Sequence, residues 1–244
     1  MDYYGILLFS LSWRSFMLLP FDELPEEFKN EAVKKYYDLL KLKKRSIFFK
    51  RVLDIVLSLI LLVILIIPII ILSFAVKFTS RGPILYKQER VTTYNRHFFI
   101  YKFRTMVVNA DKIGSLVTSK DDPRVTGIGK FLRKYRLDEL PQIVNVLKGD
   151  MSFVGTRPEV PKYVDKYTPA MYATLLMPAG ITSLASIKFK NEERMLESSN
   201  SVDEDYIGII LPKKMHYNLL YLKTFGFRND IYLMVKTIKE VAFH

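Results

Sequence analysis

The chain contains no cysteine, a single tryptophan and three histidines in 244 residues. Without cysteine it forms no disulfide and offers no thiolate nucleophile or thiolate metal ligand, and its redox compartment stays undetermined. His97, His216 and His244 lie too far apart in sequence for a zinc-ligand spacing. Any metal is therefore expected to be a hard cation bound by carboxylates. Acidic residues are also scarce, 25 Asp and Glu against 37 Lys and Arg, for a formal net charge of +12. Such an excess attracts polyanions: nucleic acid, an anionic membrane face or phosphorylated small molecules. No basic groove with stacking aromatics and no reading helix is recognisable, so no nucleic acid is expected as partner. The length suits one globular domain with an appendage.

One long stretch lacks charge altogether. From Ile55 to Val76 the chain reads IVLSLILLVILIIPIIILSFAV. As a straight helix this run reaches about 33 Å, enough to cross a hydrocarbon core of roughly 30 Å. Two features favour a different path. Pro68 near its middle deletes a backbone hydrogen bond and crowds the preceding turn, at about 3 kcal/mol in an ordinary helix, so a kink is expected. Both flanks are basic, KLKKRSIFFKR before and KFTSRGPILYKQER after, whereas positive charge stays on the cytoplasmic side. A re-entrant helix that returns to the face it entered satisfies both flanks and puts Lys43 and Lys87 on one side. Asp54, a turn from Lys50 and Arg51, is expected to pair with them at the interface.

Upstream, YGILLFSLSWRSFMLLP has no basic leader and no evident cleavage site, and reads as an interfacial anchor. Between Asp22 and Arg45, Phe28, Ala32, Tyr36 and Leu39/Leu40 recur at helical spacing with a basic end, predicting an amphipathic helix for a membrane surface or a docking contact. The expected layout is an N-terminal extension (1–46), a re-entrant membrane helix (47–79) and a globular domain (80–244). The fold class is α/β, mixed and helix-rich, with amphipathic surface helices.

Within the globular part, HFFIYKFRTMV from His97 alternates as an edge strand, with Phe99, Tyr101 and Phe103 on one face and Lys102 and Arg104 on the other. VTGIGKFLRKYR resembles a phosphate loop only faintly at Gly127, Gly129 and Lys130, since it lacks the Walker spacing and the Ser/Thr after Lys. KFKNEERMLESSNSVDED, from Lys188, reads as a flexible or sugar-facing loop. RLDELPQIVNVLKGDMSFVGTRPE, from Arg136 to Glu159, holds two adjacent acids among bases. Asp138 there is either the cap of a helix entered at Leu140 and Pro141 or a carboxylate nucleophile beside phosphate-gathering Lys134, Arg136 and Arg157. Glu139, turned by about 100° along a helix, would position a metal or a second substrate. Gly149 stops the following helix, and Pro158 and Pro161 stiffen the turn that presents Arg157 for a bidentate phosphate contact.

KRVLDIVLSLILL, GPILYKQERV, FIYKFRTM, LRKYRLDELPQIVNVLKGDMSFVGTRP and PAGITS, in that order, resemble the bacterial sugar transferases, the monotopic phosphoglycosyl transferases that begin undecaprenyl-diphosphate-linked glycan assembly. The resemblance runs from about Lys50 to the C-terminus. It implies an enzyme on the cytoplasmic face of a bacterial cell membrane that moves a sugar 1-phosphate from a UDP-sugar to polyprenyl phosphate and releases UMP. It implies Asp138 and Glu139 as the catalytic dyad, Asp138 as nucleophile and as ligand of Mg²⁺, and Arg157, Lys102, Arg136 and Gln142 as substrate-binding residues. Membrane lipid is a further partner, and a homodimer is compatible with the sequence. The chain departs from the family pattern in three places. The Ser-Pro that usually breaks the membrane helix is Ile67-Pro68, the Gly-Pro-Arg-Pro turn is Gly155-Thr156-Arg157-Pro158, and an arginine expected near the nucleotide is Met177. The competing reading is a catalytically idle membrane adaptor of the same fold.

Overall fold

Asn30 accepts a hydrogen bond from Val33 N through its side chain and so starts α1, Glu31–Lys41. In the computed structural model, which describes residues 16–113, 122–189 and 201–242, α1 begins nine residues after Asp22. Proline-led 3₁₀ turns at Phe21–Glu23 and Glu26–Phe28 fill the interval. Its apolar stripe of Val33, Tyr36, Tyr37 and Leu40 is buried in one cluster with Val154, Leu175, Leu176, Leu222 and Phe225. The face expected to meet a membrane or a partner is thus covered by the chain's own core, where each aliphatic side chain contributes about 1.5–3 kcal/mol. Tyr4–Ser15 of the anchor segment, most of the polar stretch after Lys188, and His244 lie outside the described residues.

Helix α2, Lys44–Thr79, runs for 36 residues, about 54 Å at 1.5 Å per residue, and its helical assignment continues through Pro68. Both ends of α2 are fixed to the same globular body. Near its start, Lys50 Nζ donates to Asp230 Oδ2 at 2.6 Å and to Val154 O at 2.5 Å. Arg51 donates to Val146 O and Leu147 O, and Asp54 accepts from Phe153 N at 3.1 Å. Lys50 therefore pairs with an acid 180 residues away, and Asp54 accepts from a backbone N–H inside the strand Met151–Val154, in place of the interfacial pairing expected among Lys50, Arg51 and Asp54. Near its end, Val76 is buried with Phe103 and Leu132, and Arg104 donates to Ser80 O at 2.7 Å. Between these anchorages the apolar side chains of Val63, Ile64, Ile67, Ile71, Phe74 and Phe78 stand exposed, Val63 at 76% and Phe78 at 81%. A patch of this extent marks a surface made for a nonaqueous partner.

Strands β1, Leu85–Thr92, and β2, Arg96–Phe103, form an antiparallel hairpin with Tyr86 opposite Lys102, Gln88 opposite Ile100 and Arg90 opposite Phe98. Directly paired residues share a face, so Tyr86, Gln88, Arg90, Phe98, Ile100 and Lys102 lie on one side. Phe99, Tyr101 and Phe103 share the other face, as expected, but Phe98 and Ile100 on the Lys102 side are buried while Phe99 is exposed and Phe103 is buried at the strand end. The aliphatic–aromatic run HFFI fits either register, and tertiary burial selects the one that carries Lys102 inward. Helix α3, Gly127–Lys134, is capped by Thr126 and packs Gly129 onto the backbone of Thr105, where a Cβ would come within 2.0 Å of a carbonyl oxygen. A 3₁₀ turn, Leu137–Gln142, leads directly into α4, Ile143–Lys148. Gly149, at φ 88°, ends that helix in the left-handed conformation that glycine tolerates.

Strand β3, Met151–Val154, pairs in parallel with β4, Ala179–Thr182. Helices α5, Leu211–Thr224, and α6, Phe227–Ala242, close the fold. Met177, where the family pattern has arginine, is buried in the same core cluster as α1.

Candidate active site

Arg136 adopts a left-handed conformation, φ 56°, immediately before the 3₁₀ turn. This sharp entry sets Leu137 and Leu140 into the cluster formed with Ile69, Leu72 and Val76 of α2, and leaves Asp138 and Glu139 between them. The two acids thus sit on a turn whose apolar side chains rest on the C-terminal half of the long apolar helix. Helix capping does not describe Asp138, because α4 starts only at Ile143 and has no side-chain cap.

The two acids occupy different electrostatic settings. Glu139 Oε1 receives Arg157 Nη2 at 2.5 Å and Lys102 Nζ at 3.3 Å. Burial alone would push its carboxyl up, but Arg157 and then Lys102 overcome that and hold it well below the usual carboxylate range. Asp138 is 8% exposed, and its Oδ1 is buried without a hydrogen bond. Burial pushes the Asp138 carboxyl up, Glu139 adds to the rise, and Lys102, Arg133 and Arg157 only partly oppose it. One acid is therefore a fixed anion that organises two cations, and the other is a poised carboxylate with an uncommitted oxygen. Environments that separate two neighbouring acids in this way are typical of sites that assign them different tasks.

Of the residues expected to bind substrate, Lys102 and Arg157 converge on Glu139, and Arg157 also donates to Ile181 O at 3.3 Å. Burial pushes the Lys102 ammonium down and Glu139 pulls it back. Arg136 is exposed beside them, near enough to stabilise the Glu139 anion. Gln142 is fully buried, and neither its Oε1 nor its Nε2 finds a partner. Glu139, expected to position a metal or a second substrate, holds Arg157 and Lys102 through its Oε1.

Sequence reasoning missed Arg133, Arg90 and the buried Glu159 with its partners Lys214 and Tyr206. Arg133 faces Asp138 and donates to Thr105 Oγ1 at 2.9 Å. Arg90 donates to Pro158 O, and Glu159 is buried against Lys214 at 3.1 Å and Tyr206 at 2.8 Å. Period-two alternation back from Lys102 across the hairpin would have found Arg90, whereas α5 meets Glu159 only through the tertiary fold.

A magnesium ion can be tested against these groups. Among the described residues no three His, Asp or Glu side chains converge, and Glu139 is committed to cations. Asp138 Oδ1 is the available hard donor. Mg²⁺ keeps several waters and commonly takes one or two carboxylates plus phosphate oxygens, so the donor set fits an ion carried largely by a diphosphate.

Replacing Glu139 by glutamine keeps its shape but leaves Arg157 and Lys102 facing each other without their anion. A loss of about 1–3 kcal/mol is expected, read as a lower Tm in thermal unfolding; an unchanged Tm would mean the pair contributes nothing to the fold.

Comparison with known proteins places this geometry. A family profile described as bacterial sugar transferase matches residues 45–244. The chain is 35% identical over 198 residues to a UDP-N-acetylgalactosamine-undecaprenyl-phosphate N-acetylgalactosaminephosphotransferase of Aeromonas hydrophila, covering 80% of this chain and 44% of that protein. It is 34% identical over 214 residues to an undecaprenyl-phosphate galactose phosphotransferase of Salmonella typhimurium, covering 82% and 41%. A UDP-glucose:undecaprenyl-phosphate glucose-1-phosphate transferase of Klebsiella pneumoniae is 34% identical over 199 residues, with 79% and 40% covered. The chain spans less than half the length of these three relatives. The profile covers both anchorages of α2, the dyad turn and the Arg157 loop, and on that extent the chain belongs to the bacterial sugar transferase family.

Proposed function

We propose that this protein is a phosphoglycosyl transferase that moves a sugar 1-phosphate from a UDP-sugar to polyprenyl phosphate through a covalent intermediate on Asp138. The observation that carries this reading is the division of labour in the dyad. Glu139 holds Arg157 and Lys102 as a cationic cradle, and Asp138 beside it keeps an oxygen free of hydrogen bonds. In the first step an Asp138 oxygen attacks the phosphorus that bears the sugar. The bond from that phosphorus to the bridging oxygen breaks, and its electron pair leaves with UMP. In the second step a phosphate oxygen of the lipid attacks the same phosphorus, and the acyl phosphate bond breaks to restore the carboxylate. Arg157 and Lys102 take up charge on the phosphoryl oxygens in both steps, stabilisation that grows as charge shifts in the transition state. Asp138 would also be the protein's ligand for Mg²⁺, which when bound supplies charge neutralisation to the diphosphate.

Three domains at 1–46, 47–79 and 80–244 suit this chemistry, with the last on the cytoplasmic face of a bacterial membrane. The contacts of α2 support a re-entrant path. Lys50 and Arg51 near one end and Val76 near the other pack on a single body, an arrangement a helix crossing roughly 30 Å of hydrocarbon would have to break. The dyad turn leans on Leu72 and Val76, so a soluble nucleotide sugar and a lipid phosphate with its tail in the bilayer reach the same carboxylate. Because the chain has no cysteine, topology is open to single-cysteine labelling. Leu42→Cys, at a site 85% exposed, and Lys87→Cys are expected to react with an impermeant maleimide from the same side of sealed vesicles; labelling from opposite sides would restore a simple spanning helix.

The relatives named for galactose, glucose and N-acetylgalactosamine transfer define the hexose donors to try. Purified protein, polyprenyl phosphate and Mg²⁺ are expected to release UMP from at least one of them. Absence of release from every donor, with the protein folded, would favour the idle adaptor.

A further inference from the structure

Arg157 can serve a phosphate only if its turn, Gly155–Pro158, is held at a fixed height over the dyad, and a hairpin strand holds it. Arg90 Nη1 donates to Pro158 O at 2.9 Å, and one residue on Val91 N donates to Glu159 O at 3.0 Å. Side chain and backbone of β1 thereby grip consecutive carbonyls immediately after Arg157. The Arg90 guanidinium is itself oriented by Gln88, whose Oε1 accepts from Nε at 3.1 Å and from Nη2 at 2.6 Å. Gln88 and Arg90 lie on the hairpin face that also carries Lys102. The buried Glu159 carboxylate faces the same guanidinium and is fixed from the far side by Lys214 and Tyr206.

We infer that Arg90, oriented by Gln88, is a positioning residue for the reaction: it clamps the Pro158 carbonyl and thereby aims Arg157 at the diphosphate, without contacting substrate itself. Three donor atoms of one planar fork act at once, on Pro158 O and on Gln88 Oε1. Lysine retains the charge but carries one nitrogen on a flexible stem and cannot reproduce this geometry. The inference rests on the proposed use of Arg157 as a phosphate ligand, and its test separates the two.

UDP is the probe, and its dissociation constant is measured by titration calorimetry with Mg²⁺ for the full chain, in a double-mutant cycle with Arg157. Arg90→Lys is expected to weaken UDP about tenfold, equivalent to about 1.4 kcal/mol. On an Arg157→Ala background it is expected to cost nothing further. Gln88→Ala, which removes only the orienting acceptor, should shift affinity in the same direction by less, again only when Arg157 is present; it decides the matter alone if Arg90→Lys fails to fold. In turnover the Arg90→Lys loss should appear in kcat/KM for the UDP-sugar with kcat itself lowered, and only while Arg157 is present, a dependence that general destabilisation would not produce. Equal weakening with and without Arg157 would mean that Arg90 touches the ligand directly, and no weakening in either background would mean that the clamp is idle; both overturn the inference. Failure of the wild-type protein to bind UDP would overturn the underlying reading as well.

Discussion

Asp138→Asn is expected to lower UMP release by about 10⁴-fold or more, on the scale seen when a covalent nucleophile is removed, and at the same time to raise Tm. The first effect follows from the proposed chemistry, because a carboxamide is too weak a nucleophile to displace UMP. The second follows from burial. Folding raises the Asp138 carboxyl above its unfolded value, so the folded chain holds that proton more tightly than the unfolded chain does. The stability linked to this group is therefore complete below the ordinary aspartate range and is lost as pH rises through the folded pKa. At neutral pH the ionised, poorly partnered carboxylate is a strain that asparagine relieves, and a gain of about 1 kcal/mol would appear as about 2–4 °C in a chain of this size. The gain should shrink as the melting buffer is taken toward pH 4. A variant equally stable or less stable at pH 7.5 would contradict the electrostatic account of the site. Glu139→Gln moves stability the other way, and the opposite signs at adjacent residues are what distinguish a poised acid from a structural one.

The second large effect lies at the base of the long helix. Asp230→Ala is expected to cost about 3–5 kcal/mol, because it strands the Lys50 ammonium in the interior. Asp230 accepts from Lys50 Nζ at 2.6 Å and from Tyr221 OH at 2.9 Å, with both members of the ion pair buried. Chemical unfolding followed by circular dichroism would register the loss as a lower midpoint at unchanged slope. Replacing both partners together, Lys50→Met with Asp230→Leu, is expected to recover most of it, since an apolar pair of similar volume carries no stranded charge. If the single variant were as stable as wild type, α6 would not be anchoring the membrane helix through this pair.

The long apolar helix and the nearness of the acid pair to Arg157 were legible in the sequence for simple physical reasons. An uncharged run of Ile and Leu long enough for a bilayer has few other uses, and an acid pair between Arg136 and a proline-stiffened Arg157 turn stands out among the bases. The termination of α4 at Gly149 was legible too. Other features depended on contacts that no local pattern encodes. The hairpin register turns on whether Phe98 or Phe99 finds the core, and both are equally apolar. Asp54 sits one turn from Lys50 and Arg51, yet Lys50 reaches Asp230 and Arg51 reaches the carbonyls of α4. Partners far away in sequence outcompete near ones once the interior removes water. The helix at Glu31 was displaced from its expected start because Pro25 and Asn30 act as local punctuation stronger than apolar periodicity. Met177 shows a different limit. Family resemblance places an arginine there, but the methionine is buried in the core cluster, a destination that the motif comparison does not reveal.

The central claim, that a sugar phosphate is carried on Asp138, is tested most directly without the lipid acceptor. Purified protein is incubated with the hexose donors and Mg²⁺, UMP is counted, and the protein is digested and weighed by mass spectrometry. The account predicts a burst of about one UMP per chain and a hexose phosphate adduct on the peptide containing Asp138, discharged on adding polyprenyl phosphate and absent from Asp138→Asn. Turnover with lipid present, but no burst and no adduct without it, would contradict the covalent mechanism and point to direct transfer between the two substrates.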